Sequence, residues 1–500
     1  MTGEITKGIS DGDFYVKSDK QPNIVWIVLD HVTFRHYKMT RGARPVLNTY
    51  ERLASLGTEF INCHSVHPLC MPARASMLTG TYAHKHGKKR NGRNQPDAGY
   101  PLISEILCEK GYNLAYFGKN HSGYEDLSRF GFEGFYPEGY GNPYKTREYG
   151  NYLVNNNLGV PIFVQEWGIK TDSRAYENRE YDLTKSDNFN TYSAGHFKTD
   201  EPVHESDFLV NLACEWLDEH LQDDKPFMLR MDTWGPHHSF QVPFSYKDLI
   251  NPDEIEEYPS FGDDAGSKPE FVRSFLAGIK ERNPLKTWKD WQPVIKRAYE
   301  NYSYIDMAIG KVIDKLKDKG LLDNTYIIYT ADHGDALGSH GGMVDKAGDM
   351  MEELMHIPLV ITGPGIKAGA KSDAHVSNLD ITATILELVG MTPPSYMDGQ
   401  SLTCLLEGDG SKWREDFMAE HYGHFNVHKV QRALYYKNYK YIATEEDLHE
   451  LYDLEKDPFE TDNLVNRSDM KDVADVMRKR LMDYMERHGD TEGRELLGLS

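Results

Sequence analysis

The chain has 500 residues, 39% of them hydrophobic and 27% charged, which supplies a large core and lies outside the composition of disordered chains. Its formal net charge of −22, from 56 basic and 78 acidic residues, argues against a nucleic-acid partner. The opening stretch MTGEITKGISDGDFYVKSDKQPN has no apolar segment of a secretory signal, and no run approaches the roughly 18 apolar residues of a membrane span. The sequence as given, unless a signal has been trimmed, therefore predicts a cytoplasmic protein with no membrane partner.

In chain order, five short apolar runs read as buried parallel strands: NIVWIVLD (23–30), NLAYFGK (113–119), PFMLRMDTW (226–234), TYIIYTADHG (325–334) and PLVITGPG (358–365). Helical patterns fall between them at about 46–57, 73–79, 101–110, 207–221, 293–319 and 380–389. Alternating strands and helices predict an α/β fold around a mostly parallel sheet. The stretches 125–205 and 240–290 have weak periodicity and read as insertions above the sheet. After PPSYMDGQSL the texture changes: ALYYKNYKYIA (433–443) alternates like an antiparallel pair, and 468–488 is helical. The expected organisation is a catalytic domain over 20–395 and a smaller α+β subdomain over 396–500.

Four of the strands lead into reactive side chains. Strand 23–30 ends in Asp30, followed by His31; Lys119 and His121 follow the second strand; Pro236, His237 and His238 follow the third; Asp332 and His333 follow the fourth. Ligand sites of open α/β sheets lie at the carboxyl ends of their strands, so these residues should converge on one edge. A fifth element, HPLCMPARASMLTG (67–80), places Pro72 where a helix tolerates it and Gly80 where a helix stops. Cys70 is then expected in a surface-facing turn at a helix N-terminus, which favours negative charge, with Arg74 close by. Five cysteines (63, 70, 108, 214 and 404) do not read as a disulfide framework and leave Cys70 open for chemistry.

The run Cys70-Met-Pro-Ala-Arg74, followed by Leu78-Thr79-Gly80, resembles the signature of the sulfatases. The same order of marks continues: Asp30, GKNH (118–121), PHH (236–238), ADHGDALGSHG (331–341), Lys346, IPLVITGPG (357–365), LDITATILELVG (379–390), DGQSL (398–402) and HELYDLEKDPFETDNL (449–464). The resemblance spans about 22–465 and implies an alkaline-phosphatase-like fold. It implies that a formylglycine-generating enzyme oxidises Cys70 to formylglycine (3-oxoalanine). It further implies one divalent metal held by Asp30, Asp332, His333 and the modified Cys70, with Ca²⁺ expected and Mn²⁺ or Mg²⁺ as alternatives. Arg74 would steady the hydrated aldehyde, Lys119, His237 and Lys346 would bind sulfate oxygens, and His121 would contact the gem-diol and take its proton. His237 would also serve as the acid near the leaving oxygen. The implied activity is hydrolysis of a sulfate ester of a carbohydrate or small molecule.

Some positions depart from the common pattern. Asp30-His31 stands where many sulfatases have two aspartates, and Asp332-His333 where many have Asp-Asn; both resemble the choline-sulfatase and phosphonate monoester hydrolase branches. His356 stands where an arginine is common. The alternative readings are a phosphonate monoester or phosphodiester hydrolase using the same residues, a glycan-binding protein with unmodified Cys70, and a hydrolase using the Cys70 thiolate. His31 reads as structural rather than as a ligand, His238 reads as lying outside the site, and His84, His86 and His340 are left open.

Overall fold

The computed structural model describes residues 20–498, apart from 33, 40–41, 94, 138–141, 170–178, 187–191, 201, 221–224, 284, 347 and 425–427. Most of the opening stretch read for a signal thus lies outside the described residues. Eight strands form the central sheet, in the spatial order Ala370–Ser372, Thr58–Phe60, Leu359–Thr362, Thr325–Ala331, Asn23–Leu29, Phe227–Asp232, Asn113–Gly118 and Glu133–Phe135. Its middle is parallel, and the Asn23–Leu29, Phe227–Asp232 and Thr325–Ala331 strands are buried along their whole length. That is why they read as unbroken apolar runs: helices cover both faces and leave no solvent side to alternate with.

The run near 358–365 does not continue the parallel pattern. Leu359–Thr362 pairs antiparallel with both Thr325–Ala331 and Thr58–Phe60. A buried apolar run carries no mark of its direction, which the connecting chain decides. The insertion at 125–205 is also more ordered than its composition suggests. Ile162–Ile169, Arg179–Asp182 and Tyr192–Phe197 join Phe240–Val242 in a second, four-stranded sheet. A register shift between Gln165 and Trp167 breaks the two-residue period there, and Tyr192–Phe197 is buried on both faces, so neither strand shows clean alternation.

The helix Trp288–Asp318 packs on Glu205–His220 and begins with a reciprocal cap, in which the Thr287 hydroxyl accepts from Asp290 N (3.3 Å) and the Asp290 carboxylate accepts from Thr287 N (2.8 Å). Towards the C-terminus, Asp416–His421, Gln431–Tyr436, Tyr439–Thr444 and Glu450–Asp453 form an antiparallel sheet. The Lys471–His488 helix covers it with Met477, Leu481, Tyr484 and Met485. Tyr82, Met350 and Met355 share this core, so the small sheet is built onto the large domain.

The register of the central sheet sets up the site. Leu29 lies opposite Ala331, and Asp232 lies opposite both Val28 and Gly118. The residues that end or follow four strands (Asp30, Lys119, Asp232 and Asp332) therefore meet at one edge. Gly118 makes this approach possible: its φ is +107°, and a Cβ there would lie 1.9 Å from the Asp232 carbonyl oxygen. Gly118→Ala should cost at least ~2 kcal/mol of stability from the strained backbone and the clash. Urea unfolding of the variant beside the wild type measures this, and equal midpoints would contradict the packing described.

Candidate active site

Cys70 opens the helix Cys70–Thr79, which ends on Gly80 in the left-handed conformation. Every residue of this helix is buried, Cys70 included, so the thiol does not lie in the surface-facing turn that the sequence suggests. The C-terminal sheet and the strand-end loops close over a position that local sequence can only place at a helix start.

Arg74 sits one turn into that helix and is fully buried. Its Nε donates to Asp332 (3.0 Å), one terminal nitrogen to Asp232 (2.6 Å) and to the Lys119 carbonyl (3.0 Å), and the other to Asp30 (3.1 Å). One guanidinium thus ties together the ends of four parallel strands. Asp232 has two further donors, Arg230 (2.8 and 3.0 Å) and the Tyr116 hydroxyl (2.6 Å). Lys119 donates to the second oxygen of Asp30. Asp332 also accepts from the backbone N–H groups of His31 (3.0 Å) and His333 (2.8 Å). Its own carbonyl accepts from Ser65 (2.5 Å) and Asn378 (2.9 Å).

The ligand atoms of Asp30, Cys70, Asp332 and His333 all lie within 4.8 Å of one another. His333 Nε2 is 3.1 Å from the Cys70 sulfur, and its Nδ1 donates to the Gly334 carbonyl at 2.9 Å. Because a carbonyl only accepts, Nδ1 carries a proton and Nε2 is the nitrogen that faces the cluster. Burial opposes charge on this ring, while Asp332 and Cys70 raise it above the usual histidine range. Two carboxylates and an imidazole nitrogen beside Cys70 fit a divalent ion, which would take the place of a proton on Nε2. Burial opposes ionisation of Cys70, but Lys346, Lys119 and His333 bring its thiol down to about 6.

Lys346 donates to Asp345 (2.7 Å) and faces His237 Nε2 at 3.5 Å. Burial opposes its charge, while Asp345 and Cys70 hold it protonated. His237 donates through Nδ1 to the His238 carbonyl at 2.7 Å. Its Nε2 is thus an acceptor, and burial, His238 and Lys119 keep the ring neutral. His237 Nε2 faces the Lys346 ammonium. His121 is buried, and burial followed by Lys119 and Arg74 lowers it to about 3, which keeps the ring neutral.

The structure therefore gathers Asp30, Cys70, Arg74, Lys119, Asp332, His333, Lys346 and His237 at one sheet edge. Sequence reasoning passed over Asp232, although it ends a strand just as Asp30 precedes a loop, and over Asp345, next to Lys346. The open histidines divide. His84 bonds Glu420 (2.6 Å), His86 bonds Ser76 (2.9 Å), and His356 bonds the Ile61 carbonyl (2.9 Å), all structural contacts. His31 and His238 belong to a second cluster with His237 and Asp345.

A family model described as Sulfatase matches residues 22–391, and one described as N-sulphoglucosamine sulphohydrolase, C-terminal, matches 338–487. An arylsulfatase of Clostridium perfringens is 26% identical over 95% of this chain and 97% of its own length. An N-acetylglucosamine-6-O-sulfatase of Bacteroides thetaiotaomicron is 26% identical over 95% of this chain and 88% of its own. Among solved structures, a phosphonate monoester hydrolase of Agrobacterium radiobacter superposes with a TM-score of 0.74 at 20% identity, covering 93% of this chain and 96% of its own. A protein solved with its substrate D-glucosamine-2-N,6-O-disulfate gives 0.70 at 21% identity, covering 95% and 100%. The α/β architecture, with its mostly parallel sheet and C-terminal antiparallel sheet, is that of the alkaline-phosphatase-like enzymes.

His340 lies apart from the reacting centre. Its Nδ1 is 2.9 Å from Asp263 and its Nε2 3.4 Å from Glu353, in full burial. Burial disfavours its charge, yet Glu353 and Asp263 raise it to about 9. Since the folded value lies above the unfolded one of ~6.5, its contribution is complete below that pH and lost as pH rises through 9. Stability should therefore decline from pH 6.5 to 9 by up to ~3 kcal/mol from this group, and His340→Gln should flatten that decline. Denaturant midpoints against pH for both proteins measure it, and parallel curves would show that the buried ion pairs of His340 contribute nothing.

Proposed function

We propose, for a chain that belongs to the sulfatase family and so is a sulfuric ester hydrolase, that it removes sulfate from a sulfated carbohydrate at the centre built on Asp30, Cys70, Asp332 and His333. The family implies a divalent metal and a formylglycine in general terms. Our reading assigns the aldehyde to Cys70, made by a formylglycine-generating enzyme acting on the CMPAR run, and the ion to Asp30, Asp332 and His333, with Ca²⁺ as the oxygen-rich set favours. The observation that carries the reading is the Cys70 sulfur at a helix N-terminus, 3.1 Å from Nε2 of His333 and within electrostatic reach of Lys119 and Lys346. When bound, the ion supplies Lewis-acid stabilisation of negative oxygen.

The chain's own residues do the rest. Arg74 fixes Asp30 and Asp332 so that neither needs to reorganise during reaction. Lys119 and Lys346 are fixed cations on either side of Cys70, suited to sulfate oxygens. His237 and Asp345 aim Lys346, and His121 is assigned as the proton acceptor. The carbohydrate assignment draws on the relative named for N-acetylglucosamine-6-O-sulfate and the neighbour solved with glucosamine disulfate. Division of labour between 20–395 and 396–500 is part of the same reading, supported by separate sheets on either side of residue 400. Among the described residues no helix is long and apolar enough to cross a membrane.

Asp332→Ala should lose metal and turnover together. Lys119→Ala and Lys346→Ala should each lower kcat/KM roughly ten- to a thousandfold, with the double variant losing less than the product of the two because both act on one group. Elemental analysis and kinetics on paired aryl sulfate, aryl phosphonate and glucosamine 6-sulfate substrates test this. Full metal occupancy in Asp332→Ala would overturn the ligand assignment, an unaffected lysine variant would overturn that lysine's role, and preference for the phosphonate would overturn the substrate class.

A further inference from the structure

Beside the Cys70 centre lies a second buried group of ligands with different chemistry. The ligand atoms of His31, His237, His238 and Asp345 all lie within 4.8 Å of one another. The three imidazoles lie close together, tilted against one another, with ring centroids 4.6 Å apart for His31–His237, 5.9 Å for His31–His238 and 4.1 Å for His237–His238. His31 is only 1% exposed, and among the described residues neither of its ring nitrogens has a hydrogen-bond partner. Its Nε2 is 3.4 Å from Asp345 and its Nδ1 3.6 Å from Asp335, both beyond good hydrogen-bond range for a buried ring. His238 Nδ1 is buried without a hydrogen-bond partner as well. Buried ring nitrogens without a partner are uncommon, so the arrangement calls for a ligand.

The ring states suit a cation. His237 has its proton on Nδ1, held by the His238 carbonyl, which leaves the Nε2 lone pair pointing into the cluster. Donor atoms around a tetrahedral zinc lie roughly 3.3 Å apart, close to the 3.4 Å between His31 Nε2 and Asp345. His31 adopts a φ of +70° and Asp345 one of +56°, strained backbone states that turn both side chains into this space. His238 and Asp345 are half-buried and give an ion a route in from solvent.

We propose that His31, His237, His238 and Asp345 form a second, nitrogen-rich metal site that takes a zinc-class divalent transition metal, distinct from the oxygen-rich centre at Asp30 and Asp332. Three imidazoles and one carboxylate select zinc or cobalt over calcium. Lys346 is the competitor for this site. Its ammonium bonds Asp345 and faces His237 Nε2, the same two groups that the ion needs. Zinc and the engaged Lys346 therefore exclude one another. Where Lys346 holds sulfate, as in the function proposed above, zinc acts as an inhibitor. The binding itself stands whether or not Cys70 is modified.

The test is metal stoichiometry on the full chain, with its first centre filled by excess calcium and then dialysed against zinc, or against cobalt for its visible spectrum. We expect one zinc per chain in the wild type and in Asp332→Ala, loss of that zinc in His31→Gln and in the half-buried His238→Gln, and at least tenfold tighter zinc binding in Lys346→Ala. Retention of no zinc by either wild type or Lys346→Ala would overturn the proposal. So would zinc that survives His238→Gln but disappears in Asp332→Ala, since it would then occupy the first centre. Circular dichroism of the two histidine variants separates loss of ligand from loss of fold.

Discussion

The structure around the reacting centre depends on one buried guanidinium. Arg74 reaches Asp30, Asp232, Asp332 and the Lys119 backbone, which belong to the ends of four neighbouring parallel strands. Three carboxylates crowded at one sheet edge would repel each other without it. Arg230 and Lys119 complete the balance, Arg230 on Asp232 and Lys119 on Asp30. Since Arg74 lies one turn after Cys70, the same bonds that join the strands also fix the start of the helix that presents Cys70. Cys70, the side chains proposed to hold a metal and the sheet are thus one mechanical unit, and a lysine at position 74 could reach only part of it.

The chain must admit an anion although it carries a net charge of −22. The resolution is local. Lys119 and Lys346 are both nearly fully buried and lie beside Cys70, where low dielectric strengthens their pull and water does not screen it. Each is countered by one nearby carboxylate, Asp30 for Lys119 and Asp345 for Lys346. For Lys346, burial opposes the charge, and Asp345 and Cys70 hold it protonated. The pairing also means that an arriving anion must compete for ammonium groups already engaged.

Much of this was legible before the fold was known, because fully buried parallel strands announce themselves as apolar runs. Asp30, Lys119 and Asp332 stood at the ends of such runs, and the register then did the rest. Asp232 was equally placed at a strand end, and Arg230 in the same strand, lying over the Trp26 ring at 4.2 Å, bonds it. The direction of Leu359–Thr362, the sheet in the 125–205 insertion and the burial of Cys70 were not legible, since each follows from what packs against the segment. The His31, His237, His238 and Asp345 cluster was invisible for another reason. Two of its four members face it only because their backbones take left-handed conformations that no spacing rule reveals.

The claim on which everything else rests is that Cys70 is the precursor of the reacting group. The most direct test is the mass of the peptide carrying residues 70–74, taken from enzyme whose turnover of an aryl sulfate has been measured on the same sample. The account predicts that activity rises in proportion to the fraction of Cys70 converted to the lighter formylglycine. Full turnover from protein in which every Cys70 remains a thiol would contradict it.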